Sequence, residues 1–368
     1  MTQYPQLAYQ IAVTQLAGVG SVIAKKLIAY TGSVEAIFKE KKQALLKIPG
    51  IGDVLADEIA NQKVFPIVEK ELAFIEKYNI ETHFYLDSNY PQRLKSCDDC
   101  PVLLYSKGKT DFNAPKMLAI VGTRNATNYG KEVIEKIVSD LSQRYSVTIV
   151  SGLAYGVDIA AHRASLKSNL PTIAALAHGL HTIYPPSHTN YAKNIVEQGA
   201  LLTEFTSSES PERAFFVRRN RIVAGMCDAT LVVESSDKGG ALITAELALS
   251  YNRELLAIPG RTNDLASKGC NKLIKTNKAS MVECADDIEF LMHWEPKTNK
   301  TPVQKQLFLN ISEEEQKIVD VLKAENELAI DIICSRALLP VSKVSPLLLN
   351  LEFSDIVKSL PGKVYRLL

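Results

Sequence analysis

Two stretches of this chain set cations beside glycines where a strand gives way to a helix. In the first, the apolar run Met117–Val121 is stopped by Gly122, and Thr123, Arg124 and Asn125 open a loop of small, hydroxyl and amide side chains ending near Gly130. In the second, the apolar run 228–234 ends in Ser235-Ser236-Asp237-Lys238-Gly239-Gly240, and a helical pattern follows. Exposed N–H groups at a helix N-terminus favour anions. A guanidinium beside one is a bidentate phosphate ligand, unless Arg124 pairs with a nearby carboxylate instead. Lys238 supplies a flexible cation next to backbone donors and a hydroxyl. A third cluster, Arg218, Arg219 and Arg221, falls near the start of a helix expected over 215–225. Cations there oppose the helix dipole, so their placement calls for a partner anion.

The elements behind these residues read as an open parallel sheet. Residues 117–163 run strand, loop, helix, strand, loop, helix, with β-branched strands stopped by Gly122 and Gly152 and with Val133, Ile134, Ile137, Val138 and Leu141 on one helical face. Further short strands are expected at 172–177, 200–204, 228–234 and 255–259, and 101–108 as an edge strand. Loops at the carboxyl ends of parallel strands are where such sheets bind ligands. The glycines do not spell a dinucleotide fingerprint, because Arg124 and Thr127 stand where glycines belong, and no G-x-x-x-x-G-K-[ST] occurs. The expectation is a phosphate site without a nicotinamide, flavin or nucleotide cofactor.

The N-terminal segment repeats itself. Residues 16–28 align with 48–60, each an apolar residue, a G-h-G turn and an amphipathic helix. This resembles a tandem helix-hairpin-helix domain, whose turn offers backbone N–H groups to a nucleic-acid phosphate. Gly18, Gly20, Lys25 and Lys26 in the first copy are candidate secondary DNA contacts. Asp53, Asp57 and Glu58 make the second copy structural, and packing alone is the alternative for both. At the other end, Ser312 to Glu315 forms a capping box ahead of three helices, and 356–367 reads as a hairpin turning at Pro361-Gly362, together a winged helix. Its reading helix carries only Lys343 as a cation, where a duplex reader would want several polar side chains. It is expected to contact protein.

Composition narrows the classes. The 368 residues carry 42 basic and 41 acidic side chains, for a net charge of +1, so bulk charge does not mark a nucleic-acid binder. Residues 213–275 hold ten Lys and Arg against six Asp and Glu, a local excess of +4. Neither an 18-residue apolar stretch nor a signal-peptide pattern is present, so the expectation is a cytoplasmic protein with no membrane association. Among six cysteines only Cys97 and Cys100 are close, with no second pair to complete a zinc site. The histidines His162, His178, His181 and His188 match no metal spacing and are expected in structural roles. A nucleotide-processing enzyme remains the alternative, with Glu204, Asp158 and the histidines as acid–base candidates. No tight catalytic constellation supports it, and no catalytic residue is assigned.

Taken together, VGTRNATNYG (121–130), SGLAYGVDIAAH (151–162), LAHGLHTIYPPSH (176–188), GALLTEF (199–205), RRNRIVAG (218–225), KGGALITA (238–245), AIPGR (257–261) and GCNKLIK (269–275) resemble, in order and spacing, the DprA/Smf family of DNA-processing proteins of bacterial natural transformation. The resemblance spans nearly the whole chain. It implies a Rossmann-like α/β core (81–293) between a helix-hairpin-helix domain (1–80) and a winged helix (311–368), with a linker at 294–310. It also implies binding of single-stranded DNA without strong sequence preference, homodimerisation, loading of the recombinase RecA, and no catalytic activity. Gly122, Thr123, Arg124 and Lys238 would be phosphate contacts, with Asn125, Arg219, Arg221, Gly239 and Gly240 beside them. Dimer and RecA surfaces would lie near 270–292. Tyr129, Tyr155 and Phe216 are candidates to stack bases, Phe216 being expected in the core. The sequence departs from the family pattern at Val217, where proline is usual, and at His181, where an acidic residue is frequent.

Overall fold

The computed structural model describes residues 4–295, 311–324, 327–354, 356–360 and 363–367. The chain divides into two compact units, Met1–Lys297 and Thr298–Leu368.

The first unit opens with helices α1 (Gln6–Gln15), α2 (Ser21–Thr31), α3 (Val34–Lys39), α4 (Lys42–Leu45), α5 (Asp53–Asn61) and α6 (Phe65–Tyr78). Gly20 and Gly52 precede α2 and α5, as the repeat requires. These helices do not close a core of their own. Ile11, Leu27, Ile37 and Ile59 pack in one apolar cluster with Phe84, Val102, Leu103 and Tyr105 of the sheet edge.

The sheet follows as β1 (Glu81–Phe84), the short helix α7 (Gln92–Lys95), β2 (Leu103–Gly108), β3 (Met117–Val121), α8 (Asn128–Arg144), β4 (Thr148–Ser151), α9 (Val157–Lys167), β5 (Thr172–Ala175), α10 (Thr189–Gln198), β6 (Ala200–Thr203), α11 (Arg213–Gly225), β7 (Ala229–Val232), α12 (Ala241–Ser250), β8 (Glu254–Ala257), α13 (Lys268–Lys275), β9 (Ser280–Met281) and α14 (Ala285–Leu291). Its strand order is β1-β2-β6-β5-β4-β3-β7-β8-β9. Pairing is parallel from β6 across to β9, while β2 runs antiparallel to both β1 and β6. The stretch expected as an edge strand is therefore internal, and β1 forms that edge.

Period-2 side-chain alternation divides the core. Leu118 and Ile120 of β3 join Ile134, Val138 and Leu141 of α8 on one face, whereas Met117, Ala119 and Val121 face Ile222, Val223 and Ala245 on the other. The chain order runs outward from β3 through β4, β5 and β6, then returns to place β7 on the other flank of β3. The reversal lies between β3 and β7, so the loops after them diverge and leave a crevice. Those are the two loops that carry Arg124 and Lys238.

The second unit comprises α15 (Glu313–Ala324), β10 (Leu328–Ala329), α16 (Ile330–Ala337), α17 (Val341–Phe353), β11 (Val357–Leu360) and β12 (Val364–Leu367), with strand order β10-β12-β11. Ile318, Leu322, Ile333, Val344, Leu348 and Val357 form its core. The capping box is present: Ser312 Oγ accepts from Glu315 N–H at 3.2 Å, and Glu315 Oε2 accepts from Ser312 N–H at 2.8 Å. Lys343, the cation on the third helix, is paired with Glu314 at 3.0 Å. The expected linker beyond residue 295 and the Pro361-Gly362 turn lie outside the described residues.

Candidate nucleic-acid interface

The loop after β3 is held from beneath by Glu234 at the end of the β7 run. The Glu234 carbonyl accepts from Thr123 N–H at 2.8 Å. Its buried carboxylate accepts from Thr127 N–H at 2.9 Å and from the Thr127 hydroxyl. Thr127 in turn caps α8 by accepting from Gly130 N–H at 3.2 Å. Two glycines make the close approach feasible. A Cβ on Gly122 would lie 2.9 Å from the Glu234 carbonyl oxygen, and Gly156 has φ +75° with the Thr123 and Arg124 backbone against the position of its missing side chain. The loop is thus fixed at its base while the Arg124 side chain projects outward.

Arg124 has no carboxylate partner among the described residues. Its guanidinium instead lies 5.1 Å from the ring centre of Phe216, which meets Tyr184 edge-on at 5.8 Å. These side chains line a crevice of about 750 Å³ at the carboxyl ends of β3, β4 and β7. Gly122, Thr123, Arg124, Arg219, Gly239 and Gly240 all border it, as do Arg213 and Asp158. Gly240 precedes α12, whose first residues Ala241 and Thr244 form part of the wall, so the positive end of a helix dipole faces the space. Lys238 is exposed in the same loop, between wall residues Ser236 and Gly239, and is without an ion pair among the described residues. Asn125 borders a neighbouring groove, also about Arg124.

The arginine cluster resolves differently from the expectation. Arg218 donates from Nε and Nη2 to Glu204 Oε2 at 3.0 and 2.7 Å, and Arg221 donates from Nη2 to the same oxygen. The anion that offsets these cations is internal. Arg221, 8% exposed, does not border the crevice, and its expected place among the phosphate neighbours is corrected accordingly. Arg219, 4% exposed, does reach the crevice wall, but its Nη1 is occupied by the carbonyl oxygens of Gly152 and Ala175. Burial lowers its pKa, while Asp158 opposes that shift. Asp158 is itself pushed up by burial and held back chiefly by Arg219. Glu204, expected as an acid–base candidate, is screened by two arginines and lies outside the crevice.

Three of the four candidate histidines are built into the scaffold. His162 Nδ1 meets Thr172 Oγ1 at 2.8 Å, His178 Nδ1 the Gly179 carbonyl at 2.8 Å, and His188 Nδ1 the Leu153 carbonyl at 2.8 Å. His181 is exposed. No group of metal-ligating side chains occurs among the described residues.

In the first hairpin both lysines find partners within the protein. Lys25 Nζ donates to the Asp98 carbonyl at 2.9 Å and meets Cys100 Sγ at 2.9 Å, tying α2 to the loop before β2. Lys26 Nζ donates to the Pro49 carbonyl at 3.0 Å, tying α2 to the second G-h-G turn. Both ammonium groups bind protein. The turn at Gly18 and Gly20 stays exposed.

Of the aromatic candidates, Phe216 is half-buried on the crevice wall, a correction to its expected core position. Tyr129 donates its hydroxyl to the Pro259 carbonyl at 2.9 Å, and Tyr155 borders the neighbouring groove. Sequence reasoning missed Tyr184 and Arg213 as wall residues. The rigid Tyr184-Pro185-Pro186 loop after β5 was the available signal for the first.

By class this is an open α/β sheet protein with a cation-lined crevice at its topological switch, no dinucleotide fingerprint, an N-terminal helical module and a C-terminal winged helix. The profile of the family described as DNA recombination-mediator protein A matches residues 81–292, a SAM-like helix-hairpin-helix tandem matches 11–62, and the DprA winged helix domain matches 300–363. The chain belongs to the DprA/Smf family. It is 31% identical to Protein Smf of Synechocystis over 98% of both chains. Its fold is similar to DNA processing protein A of Streptococcus pneumoniae, with TM-score 0.67 and 30% identity, covering 78% of this chain and 98% of that one. A second similar structure, from Helicobacter pylori, concerns the single-stranded DNA binding mode of its DNA processing protein A. Here the TM-score is 0.53 and the identity 28%, covering 59% of this chain and 96% of that one.

Proposed function

We propose that this chain binds single-stranded DNA by its phosphate backbone in the crevice between β3 and β7, without strong sequence preference. Bound as a homodimer, it protects incoming strands and passes them to a RecA recombinase in transformation and homologous recombination. The observation that carries the reading is Arg124: a solvent-facing guanidinium on a loop fixed at its base, free of carboxylate partners among the described residues and laid over Phe216. A phosphate meets the cation and a base finds the ring edge of Phe216 or Tyr184. Lys238 and the α12 N-terminus add positive potential on the opposite wall. The relative from Helicobacter pylori supports the choice of ligand. Exposed Phe290, at 77%, and Met281 support a protein interface within 270–292. In this reading the protein works without catalytic turnover: of the acid–base candidates, Glu204 is committed to Arg218 and Arg221, and Asp158 on the crevice wall is charge-coupled to Arg219.

The test is a salt titration of oligonucleotide binding by wild type, Arg124→Ala and Lys238→Ala. Each variant loses affinity on every sequence, and the log–log salt slope falls by about 0.7 per cation removed. Wild-type affinity and slope in both variants would refute the crevice as the DNA site.

A further inference from the structure

A second concavity, about 880 Å³, lies between α8 and α9 and shares Arg124 with the crevice as a common wall. Lys131 on α8 and Arg163 and Lys167 on α9 face it, with Glu135 as the acidic residue on its rim. Lys167 is neutralised by Glu135. Lys131 has no ion pair among the described residues, and Arg163 stands over the Tyr191 ring at 5.9 Å, while its charge adds to that of Lys167 in holding the Glu135 carboxyl below its usual range. Tyr155 is 48% exposed on the wall of this groove, its hydroxyl 3.4 Å from Ser187 Oγ and its ring edge-on to buried His188. A half-exposed phenol ring anchored against a buried neighbour offers a base a stacking partner. Arg124, Lys131, Arg163 and Lys167 outnumber Glu135 along the lining, which makes this a positively charged trough. Its length is set by two helices fixed to each other through the sheet face of Leu118 and Ile149.

We propose that this groove carries the continuation of the bound single strand: DNA leaves the crevice past Arg124, stacks a base on Tyr155, and lays its next phosphates along Lys131 and Arg163. The inference rests on the proposed function of the crevice and adds a path and a footprint to it. A crevice alone accepts a short oligonucleotide as well as a long one. A crevice joined to a groove distinguishes the two.

The experiment therefore compares oligothymidylates of about four and about sixteen nucleotides, the span of single-strand site sizes, on the full chain by fluorescence anisotropy. The variants are Lys131→Ala/Arg163→Ala and, separately, Tyr155→Ala. All three side chains are surface groups, and unchanged thermal midpoints establish that each variant folds. For the long probe, affinity in the double variant falls about tenfold or more and the salt slope drops by about 1.4, twice the single-phosphate value. Tyr155→Ala weakens the long probe about fivefold or more without changing the slope. The short probe binds all variants like wild type. Equal losses on both probes, or no loss on either, would overturn the groove while leaving the crevice standing. Failure of wild type to bind either probe would overturn the crevice reading itself, and the groove with it.

Discussion

Replacing Glu204 by glutamine removes a charge and almost no volume, so it isolates the ion pairs beneath α11. Arg218 is about half exposed, and its share is worth up to about 1 kcal/mol. Arg221 is different. It is buried, its Nη1 already lacks a hydrogen-bond partner among the described residues, and Glu204 is its charge partner. Stripping one member from a buried pair costs about 3–5 kcal/mol, because the remaining charge cannot return to water. The glutamine carbonyl still accepts one hydrogen bond, so about 3 kcal/mol is expected, a fall of about 6–12 °C in midpoint at 2–4 °C per kcal/mol. The chain has one tryptophan, Trp294, packed near Tyr145 in the first unit, so intrinsic fluorescence reads that unit alone. Glu204→Leu combined with Arg221→Leu recovers most of the loss, since an apolar pair of similar volume replaces the buried ions. If Glu204→Gln moves the midpoint by less than about 2 °C, the pair is not what holds α11. If Arg221→Leu leaves stability intact but weakens DNA binding on all sequences, Arg221 is a phosphate ligand after all.

Three further outcomes follow from the geometry. Thr172 donates its hydroxyl to the Ile149 carbonyl, so it accepts from His162 Nδ1, and Nε2 is left bare inside the core. Burial, reinforced by Arg219 and His188, pushes His162 down to about 3. Its unfolded form takes a proton near pH 6.5, so stability is lost as pH falls below that value, by about 1.4 kcal/mol per pH unit; urea midpoints at pH 7 and pH 5 in wild type and His162→Gln check this, and an identical pH response in both refutes it. Phe216→Ala removes a stacking face worth about 1–3 kcal/mol, a loss of about 5-fold to 150-fold in affinity by anisotropy. An unchanged Kd would confine Phe216 to supporting Arg124. Gly156→Ala forces a Cβ into a positive-φ position against the Thr123–Arg124 backbone. It costs about 1–3 kcal/mol of stability and weakens DNA binding by displacing the Arg124 loop, which the same titrations detect.

The strand–loop–helix units were legible because the strands are short apolar or β-branched runs, β3 and β4 closed directly by Gly122 and Gly152, and because α8 shows its apolar stripe openly. That placed Arg124 and Lys238 at strand ends, and the structure sets both loops at the crevice. Sheet order was not legible, since pairing β2 between β1 and β6 depends on partners about 20 and about 100 residues away in the chain, and β9 is too short to leave a pattern. The arginine cluster was half legible. Positions 218 and 221 are one helical turn apart and share a face, with 219 turned aside, but nothing local announces that Glu204 lies beneath that face. The partners of Lys25 and Lys26 were hidden for a similar reason. A cation on a hairpin helix has the same spacing whether it meets a phosphate or a carbonyl from residue 98.

The apolar cluster that α1 to α6 share with β1 and β2 separates two boundaries that sequence comparison would merge. Inherited modules meet between residues 62 and 81. A cut there would strip the cover from Phe84, Val102, Leu103 and Tyr105, and would also break the tether from Lys25 to the Asp98 loop. The line along which this chain was assembled in descent is therefore not a line along which it can be taken apart: a fragment starting at β1 would present a greasy sheet edge to solvent and would need a new cover, such as another copy of itself, to stay in solution.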